Sequence, residues 1–429
     1  AQTVQTLEDH HIYVLLGGAD EDSYSATFMG EGAPEWATET GGLPNINFGF
    51  PYNNLIDPAN LGAWSAFFAN ADAPNGIGLE NEYAQMWEYV ANYFNGNPDI
   101  VGYEIMDEPW AGLSWPLTVL GSPAFGAQQL TPFFDQVTAA MRAVDPTTPV
   151  YTEPNLLYEL GLTPITQGTV DYPHVVFGFE DYCVLGIFGI TAGCGALTDA
   201  VANRAVAYAD AHNIPALLEE FGAGDNQTIN AEGVHAADQN LIGWSYWTFT
   251  GQGDITTTSS PSSLESLVYN PSQPPVGANV NTATLDTLAE PYPQTVSGTP
   301  NSFSFDDGVF RFSYSVEKPD GVGSFPVGSQ TTIAVPAIDF PHGYEVAVTG
   351  GQVVSAPDAP QLVIVSTGSA HTVEVTVSPA GVADGAAPTV SGSSVSGVVG
   401  WFDREVYAPL HAGLEDWISD TKITVTTSW

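Results

Sequence analysis

Short apolar runs alternate with longer amphipathic stretches between about residues 10 and 250. This order is typical of βα units that surround a parallel sheet. The apolar runs predict six strands, over residues 12–16, 100–106, 149–153, 174–179, 215–221 and 242–249. Apolar side chains at helical spacing predict helices over residues 81–94 and 197–212. We therefore expect an α/β fold in this part of the chain.

The pattern changes to strict alternation of apolar and polar residues from about residue 301 onward. Period-2 runs such as "FRFSYSV" and "HTVEVTVSP", separated by turn residues, favour a small antiparallel β-sandwich. We expect a first domain at residues 1–295 and a β-sandwich domain at residues 296–385. Residues 386–429 begin as a Gly- and Ser-rich linker and end in a tail that the pattern does not assign.

The charge balance is unusual because bases are scarce. The chain has 429 residues, with 49 Asp and Glu but only 6 Lys and Arg, which gives a net charge of -43. Such a surface repels nucleic acid and anionic membranes, so neither is an expected partner. Salt or low pH relieves the self-repulsion, which favours a secreted, extracellular protein. We expect no membrane-spanning segment, no signal peptide at the start and a monomer.

The two cysteines, Cys183 and Cys194, lie close together in a glycine-rich loop. This spacing suits a local disulfide in an oxidising compartment. A zinc site would need more ligands nearby. Two unlinked, buried thiols remain the alternative interpretation.

Two acids follow or end predicted strands, in "IMDEPW" and in "LLEEFG". In a parallel barrel the carboxyl ends of the strands meet at the catalytic face, so Glu108 and Glu220 are expected there. Such a pair suits glycoside hydrolysis, in which one carboxyl protonates the leaving oxygen and the other attacks the anomeric carbon. Trp247 is a candidate platform for a sugar ring, with a buried wall position as the alternative. Tyr182 is a candidate donor that keeps the nucleophile ionised.

The chain resembles glycoside hydrolase family 5, and within it the endoglycoceramidases, which release intact oligosaccharide from ceramide. The resemblance rests on segments spread over residues 12–382, among them "YVLLGGADEDSYS", "VGYEIMDEPWAG", "FEDYC", "LLEEFG" and "FPHGYEVAVTGGQVVSAP". It implies a TIM-type (β/α)8 barrel followed by a β-sandwich, with Glu108 as acid/base and Glu220 as nucleophile. It also implies a retaining enzyme with no metal and no cofactor. Since residues 12–16 resemble the third barrel strand, we expect the first two βα units to be missing from the sequence.

Several positions depart from the family pattern toward acids. Asp107 stands where the family has Asn, Glu180 where it has His, and Glu31 replaces an Asn in a "GNGAP"-like loop. Asp20 and Glu21 stand where it has a His-Gln pair. Crowding these acids raises some of their pKa values. The site then either works at low pH with protonated acids as donors, or holds a divalent cation.

The leading hypothesis is a retaining glycosidase that cleaves the glucose–ceramide linkage of glycolipids, with other alkyl and aryl β-glucosides or an oligosaccharide as alternatives. Besides the two catalytic acids, the expected substrate-binding residues are Asp20, Asp107, Trp110, Glu180, Tyr182 and Trp247. An apolar groove near Trp110, Leu113 and Trp115 is expected to accept the lipid. The second hypothesis is a non-catalytic homologue that binds glycan, lipid or calcium.

Overall fold

The computed structural model describes residues 2–17, 23–30, 32–187, 189–251, 264–368 and 370–381. These residues fall into two compact units. The first unit holds the residues up to 223 and those from 245 to 266, and the second holds 224–244 and the residues from 267 onward. Residues 224–244 and 267–295, expected in the first domain, therefore group with the second. The expected linker and tail at 386–429 lie outside the described residues.

The first unit contains a parallel sheet in which each strand pairs with the next along the chain. Its strands are β1 (Val14–Leu16), β2 (Ile100–Glu104), β3 (Val150–Thr152), β4 (Val175–Asp181) and β5 (Ala216–Phe221). All seven residues of β4 are buried, as expected of a central strand covered on both faces. The predicted TIM-type parallel sheet is therefore confirmed.

The sixth predicted strand is shorter than the sequence indicates. Only Gly243–Trp244 forms a strand, β6, within the predicted range 242–249. The following residues still run along β5, since the Ser245 N–H donates to the Leu218 carbonyl at 2.9 Å and the Trp247 N–H to the Phe221 carbonyl at 2.9 Å.

Helices of the first unit surround this sheet in sequence order. They are α1 (Gln2–Asp9), α2 (Tyr52–Ile56), α3 (Pro58–Phe67), α4 (Leu79–Phe94), α5 (Trp115–Val119), α6 (Thr131–Val144), α7 (Leu156–Glu159), α8 (Val184–Ile187) and α9 (Cys194–His212). Both predicted helices are present, as α4 and α9. The start of α3 follows from local chemistry, because the Asp57 carboxylate accepts the Ala59 N–H and Pro58 occupies the first turn.

A disulfide joins Cys183 and Cys194, with a Cα–Cα distance of 5.5 Å. The prediction of a local disulfide is confirmed, and the alternative of two free thiols is wrong. The bond ties the segment after β4 to the first turn of α9.

The second unit contains α10 (Gln227–Asn240), β6, α11 (Thr282–Leu288) and two antiparallel sheets. The sheet strands are β7 (Tyr292–Thr295), β8 (Thr299–Asp306), β9 (Val309–Ser315), β10 (Gln330–Ala334), β11 (Tyr344–Thr349), β12 (Gly351–Val353), β13 (Gln361–Ser366) and β14 (Thr372–Pro379). One sheet has the order β12-β13-β10-β7 and the other β11-β14-β9-β8. Alternate residues of β9 are buried, among them Phe310, Phe312 and Tyr314, and they build the core. The predicted β-sandwich is confirmed.

None of the helices that the structure describes combines the length and the apolar composition needed to cross a membrane.

A pair of carboxyl groups is hydrogen-bonded in the interior of the second unit. Asp238, near the end of α10, is 6% exposed, and its carboxyl bonds to that of Glu290. Burial, together with the charges of Glu290 and Asp306, raises the pKa of Asp238 to about 9. Burial raises the pKa of Glu290 to about 7. One proton shared between the two groups therefore holds them together.

We expect the protein to lose stability as this pair ionises. Since both folded-state pKa values lie above the unfolded values of about 4, the contribution is fully present below about pH 4 and is lost as the pH rises toward about 9. Asp238→Asn cannot ionise at this position and still offers N–H donors to Glu290. Thermal melting across this pH range should therefore show a smaller fall in Tm for the variant than for the wild type.

The matched control is Asp225→Asn, at an exposed position before α10. Its melting temperatures should follow the wild-type pH dependence. Parallel curves for the wild type and Asp238→Asn would contradict the role of the pair.

Candidate active site

Acidic side chains lie at the carboxyl ends of four neighbouring parallel strands. Glu108 follows β2, Glu153 follows β3 directly, and Glu180 and Glu220 lie near the ends of β4 and β5. Glu180 is paired with Glu220 in the β4–β5 register, so their side chains leave the sheet on the same face. The strand ends of such a sheet meet at one edge, where catalytic residues of parallel barrels are found.

The carboxyl groups at this edge form three overlapping groups of three. Within each group, one oxygen of each residue lies within 4.8 Å of the others. The groups are Asp107–Glu180–Glu220, Glu108–Glu159–Glu180 and Glu104–Asp107–Glu153. We call these residues, together with Glu219, the acidic cluster. Glu180 belongs to the groups of both predicted catalytic acids, which places Glu108 and Glu220 on the same rim.

The backbone turns sharply at Glu108. Its φ angle is 42°, in the left-handed region that a residue with a Cβ enters at a cost of about 1–2 kcal/mol. The Glu108 N–H donates to Glu153 Oε2 at 3.0 Å. Upstream, the Ile105 carbonyl accepts the Tyr83 hydroxyl at 2.6 Å and the Trp87 indole N–H at 2.9 Å. These contacts hold the turn that carries Glu108.

Tyr182 donates its hydroxyl to Glu220 Oε2 at 2.7 Å. Burial and the charge of Asp107 raise the pKa of Glu220 well above its usual value, and the Tyr182 hydrogen bond opposes this rise. Tyr182 precedes Cys183, so the disulfide restrains the backbone next to the donor. This is the contact that sequence reasoning predicted for Tyr182.

The buried members of the cluster share their protons. Burial raises the pKa values of Glu153, Glu159 and Glu180 well above their usual range, and neighbouring carboxylates raise them further. Burial raises the pKa of Glu219 to about 8, opposed by a hydrogen bond with Glu153. Carboxyl groups so crowded cannot all be ionised at neutral pH.

Arg142 lies at the opposite ends of the strands. Its guanidinium donates to the backbone carbonyls of Asp145, Thr148 and Pro173, at 3.2, 2.8 and 3.1 Å. Residues 148 and 173 precede β3 and β4. This base therefore secures the amino-terminal edge of the sheet, while the acids occupy the carboxyl-terminal edge.

Sequence reasoning missed Glu104, Glu153, Glu159 and Glu219. Glu153 ends a predicted strand, so the rule that found Glu220 could also have found it. Glu219 is the extra residue of a β-bulge in β5, where the register passes from Leu218 to Glu220. Its carboxyl fills the space that a Cβ at Gly178 would occupy. Glu159 lies on α7, a four-residue helix with no periodic signal.

The predicted aromatic contacts differ in exposure. Trp110 is 1% exposed, and its ring stacks on Trp115 at a centroid distance of 6.1 Å. Leu113 is 53% exposed. Trp247 is partly exposed and bridges Gly222. Their roles in binding stay predictions.

Three of the acids named from the sequence lie outside the described residues, namely Asp20, Glu21 and Glu31.

The oxygen spacing within the acidic cluster could accommodate a divalent cation as well as shared protons. Two observations favour protons. Asp107 is hydrogen-bonded to Glu180, and Glu219 to Glu153, contacts that each require one proton between two carboxyl groups. The absence of a metal and of a cofactor from the enzyme stays a prediction.

Comparisons with known proteins agree with this geometry. A family model described as cellulase (glycosyl hydrolase family 5) matches residues 52–253, and one described as the glycoside hydrolase family 5 C-terminal domain matches residues 291–377. Endoglycoceramidase I of Rhodococcus hoagii (strain 103S) is 30% identical over 390 residues, which are 85% of this chain and 70% of that protein.

Solved structures of endo-glycoceramidase II from a Rhodococcus species are also similar. The complex with ganglioside GM3 superposes with a TM-score of 0.69 at 26% identity, covering 88% of this chain and 83% of that chain. The lactosyl-enzyme intermediate superposes with a TM-score of 0.67 at 25% identity, covering 88% and 84%.

Removing the Tyr182 hydroxyl should make Glu220 harder to ionise. If Glu220 is the nucleophile, Tyr182→Phe should move the acidic limb of the pH–rate profile to higher pH by about one unit, the effect of losing about 1.4 kcal/mol of hydrogen bonding to a charged group. Initial rates on an aryl β-glucoside between about pH 3 and about pH 8 measure this limb.

Tyr158→Phe provides the matched control, because the Tyr158 hydroxyl is buried and donates to the Val201 carbonyl at 2.6 Å. It should lower the melting temperature without moving the limb. A shift of equal size in both variants would refute the assigned role of Tyr182.

Proposed function

Because the chain belongs to glycoside hydrolase family 5, we propose that it is a retaining hydrolase that cleaves the bond between the glycan and the ceramide of glycosphingolipids. The observation that carries the proposal is the placement of Glu108 and Glu220 on one rim, each with an oxygen within 4.8 Å of Glu180. The hydrogen bond from Tyr182 to Glu220 supports the assignment of the nucleophile.

The two acids divide the reaction as follows. The ionised Glu220 carboxylate attacks the anomeric carbon, while Glu108 gives its proton to the glycosidic oxygen as that bond breaks. The products of this step are a glycosyl ester on Glu220 and the free hydroxyl of the lipid. Glu108, now ionised, removes a proton from water as the water oxygen attacks the anomeric carbon, and Glu220 leaves as a carboxylate. Two inversions at the same carbon preserve the β configuration.

The names of similar proteins support the substrate class. Endoglycoceramidase I of Rhodococcus hoagii shares 30% of the aligned residues, and the similar solved structure binds ganglioside GM3. On this chain, Leu113 and Leu117 expose 53% and 50% of their surface a few residues after Glu108. Exposed apolar side chains so close to the acid suit a lipid aglycone. Alkyl and aryl β-glucosides are the alternative substrates.

We also propose an extracellular setting and a monomeric enzyme. The Cys183–Cys194 disulfide supports an oxidising compartment, and the scarcity of Lys and Arg supports an acidic or saline one.

Substituting the two acids should separate their roles. Glu220→Gln should lower turnover by roughly a thousandfold or more on every substrate, because the nucleophile is lost. Glu108→Gln should lower turnover of a fluorescent glucosylceramide by roughly 10²–10⁴-fold. On an activated aryl glucoside, whose leaving group needs no proton, its bond-cleavage step should be much less affected.

Glu88→Gln, at an exposed position of α4, is the control and should match the wild type. Unchanged glucosylceramide turnover in Glu220→Gln would exclude Glu220 as the nucleophile. A wild-type protein that hydrolyses none of these substrates at any pH would instead favour the non-catalytic hypothesis.

A further inference from the structure

Glu180 lies at the centre of the acidic cluster, at the end of the fully buried strand β4. Its side chain is 1% exposed. Among the described residues, no backbone or side-chain N–H and no hydroxyl donates to either of its carboxyl oxygens. The Tyr182 hydroxyl, two residues away, is directed to Glu220 instead. Glu180 is thus buried next to both predicted catalytic acids without a donor of its own.

The groups that face Glu180 from the surrounding elements are acids and one tyrosine. They are Asp107 and Glu108 after β2, Glu153 after β3, Glu159 on α7, Tyr182 after β4 and Glu220 on β5. Asp107 is hydrogen-bonded to Glu180, and this bond favours the ionised form of Asp107. Glu180 is then the partner that carries the proton. A buried carboxylate with neither donor nor counter-ion would be strongly unfavourable, whereas the neutral acid both donates and relieves the repulsion.

We propose that Glu180 is a positioning residue that works as a neutral carboxylic acid, donating to Asp107 so that Glu220 alone is ionised next to a protonated Glu108, and that its ionisation ends activity at higher pH. This inference rests on the proposed glycosidase function. Ionised Glu180 would place a second negative charge within 4.8 Å of oxygens of both Glu108 and Glu220. Protons would then redistribute within the cluster, and Glu220 would no longer be the ionised member.

A second unit of the same chain uses the same device away from any active-site chemistry. Asp238 and Glu290 are hydrogen-bonded carboxyl groups in its interior. Neither belongs to a group of three potential metal ligands among the described residues. A shared proton therefore explains a buried carboxyl pair in this protein without a cation, and the same explanation applies to Glu180.

The test replaces Glu180 with residues that separate charge from hydrogen bonding. Glu180→Gln keeps the shape and an N–H donor but cannot ionise. We expect it to retain activity at the acidic optimum within about threefold and to move the alkaline limb of kcat/KM upward by at least about one pH unit, a tenfold gain on that limb. Glu180→Leu, which has no donor, should lose activity at every pH while its circular dichroism and melting curve show a folded protein. A purely structural role would not move the alkaline limb.

A spectroscopic readout makes the inference independent of turnover. The infrared difference between wild type and Glu180→Gln should contain a carboxylic acid C=O band at neutral pH that disappears as the pH is raised. If the protein hydrolyses none of the substrates offered, this band still tests the protonation of Glu180. Glu88→Gln, at an exposed position, should show no such band in its difference spectrum at neutral pH.

Either of two results would overturn the proposal. The first is the absence of the acid band at neutral pH, together with an unshifted alkaline limb in Glu180→Gln. The second is calcium binding in a titration with calcium chloride that is abolished in Glu180→Gln, which would make Glu180 a cation ligand.

Discussion

The structure depends on keeping buried carboxyl groups neutral without bases. The chain has only 6 Lys and Arg against 49 acids, and Arg142 is committed to carbonyls at the amino-terminal edge of the sheet. Protons must therefore do the work that salt bridges do elsewhere. The Glu153–Glu219 contact in the first unit and the Asp238–Glu290 contact in the second follow from this constraint. Because net charge reflects scarce bases and not surplus acids, full protonation leaves a nearly uncharged surface at low pH.

The candidate site turns this constraint into chemistry. A glycosidase of the retaining type needs one ionised and one protonated carboxyl close together, and their environments must push the two pKa values apart. Tyr182 stabilises charge on Glu220, and the turn at Glu108 brings the second acid to the same rim. Glu180, between them, has no donor that would stabilise its own charge. The difference between chemically identical groups thus comes from which of them receives a hydrogen bond.

Local rules predicted the parts of the site that strands position. Glu108 and Glu220 were found because apolar runs ended at them, and Tyr182 because it follows such a run. The sandwich was found because β9 and β14 alternate strictly. Glu219 escaped because a bulge interrupts the alternation, and Glu159 because α7 has only four residues. The grouping of 224–244 with the second unit depends on tertiary packing, which no local pattern encodes. Asp20 was named from the resemblance alone and lies outside the described residues.

The left-handed backbone at Glu108 sets function against stability. Glycine is the residue that this conformation favours, so a glycine at this position would relax the turn and remove the acid at once. Selection for a hardier protein without selection for catalysis would then erode this carboxyl early. Persistence of glutamate here in descendants of the chain would record that turnover, not folding, was being preserved.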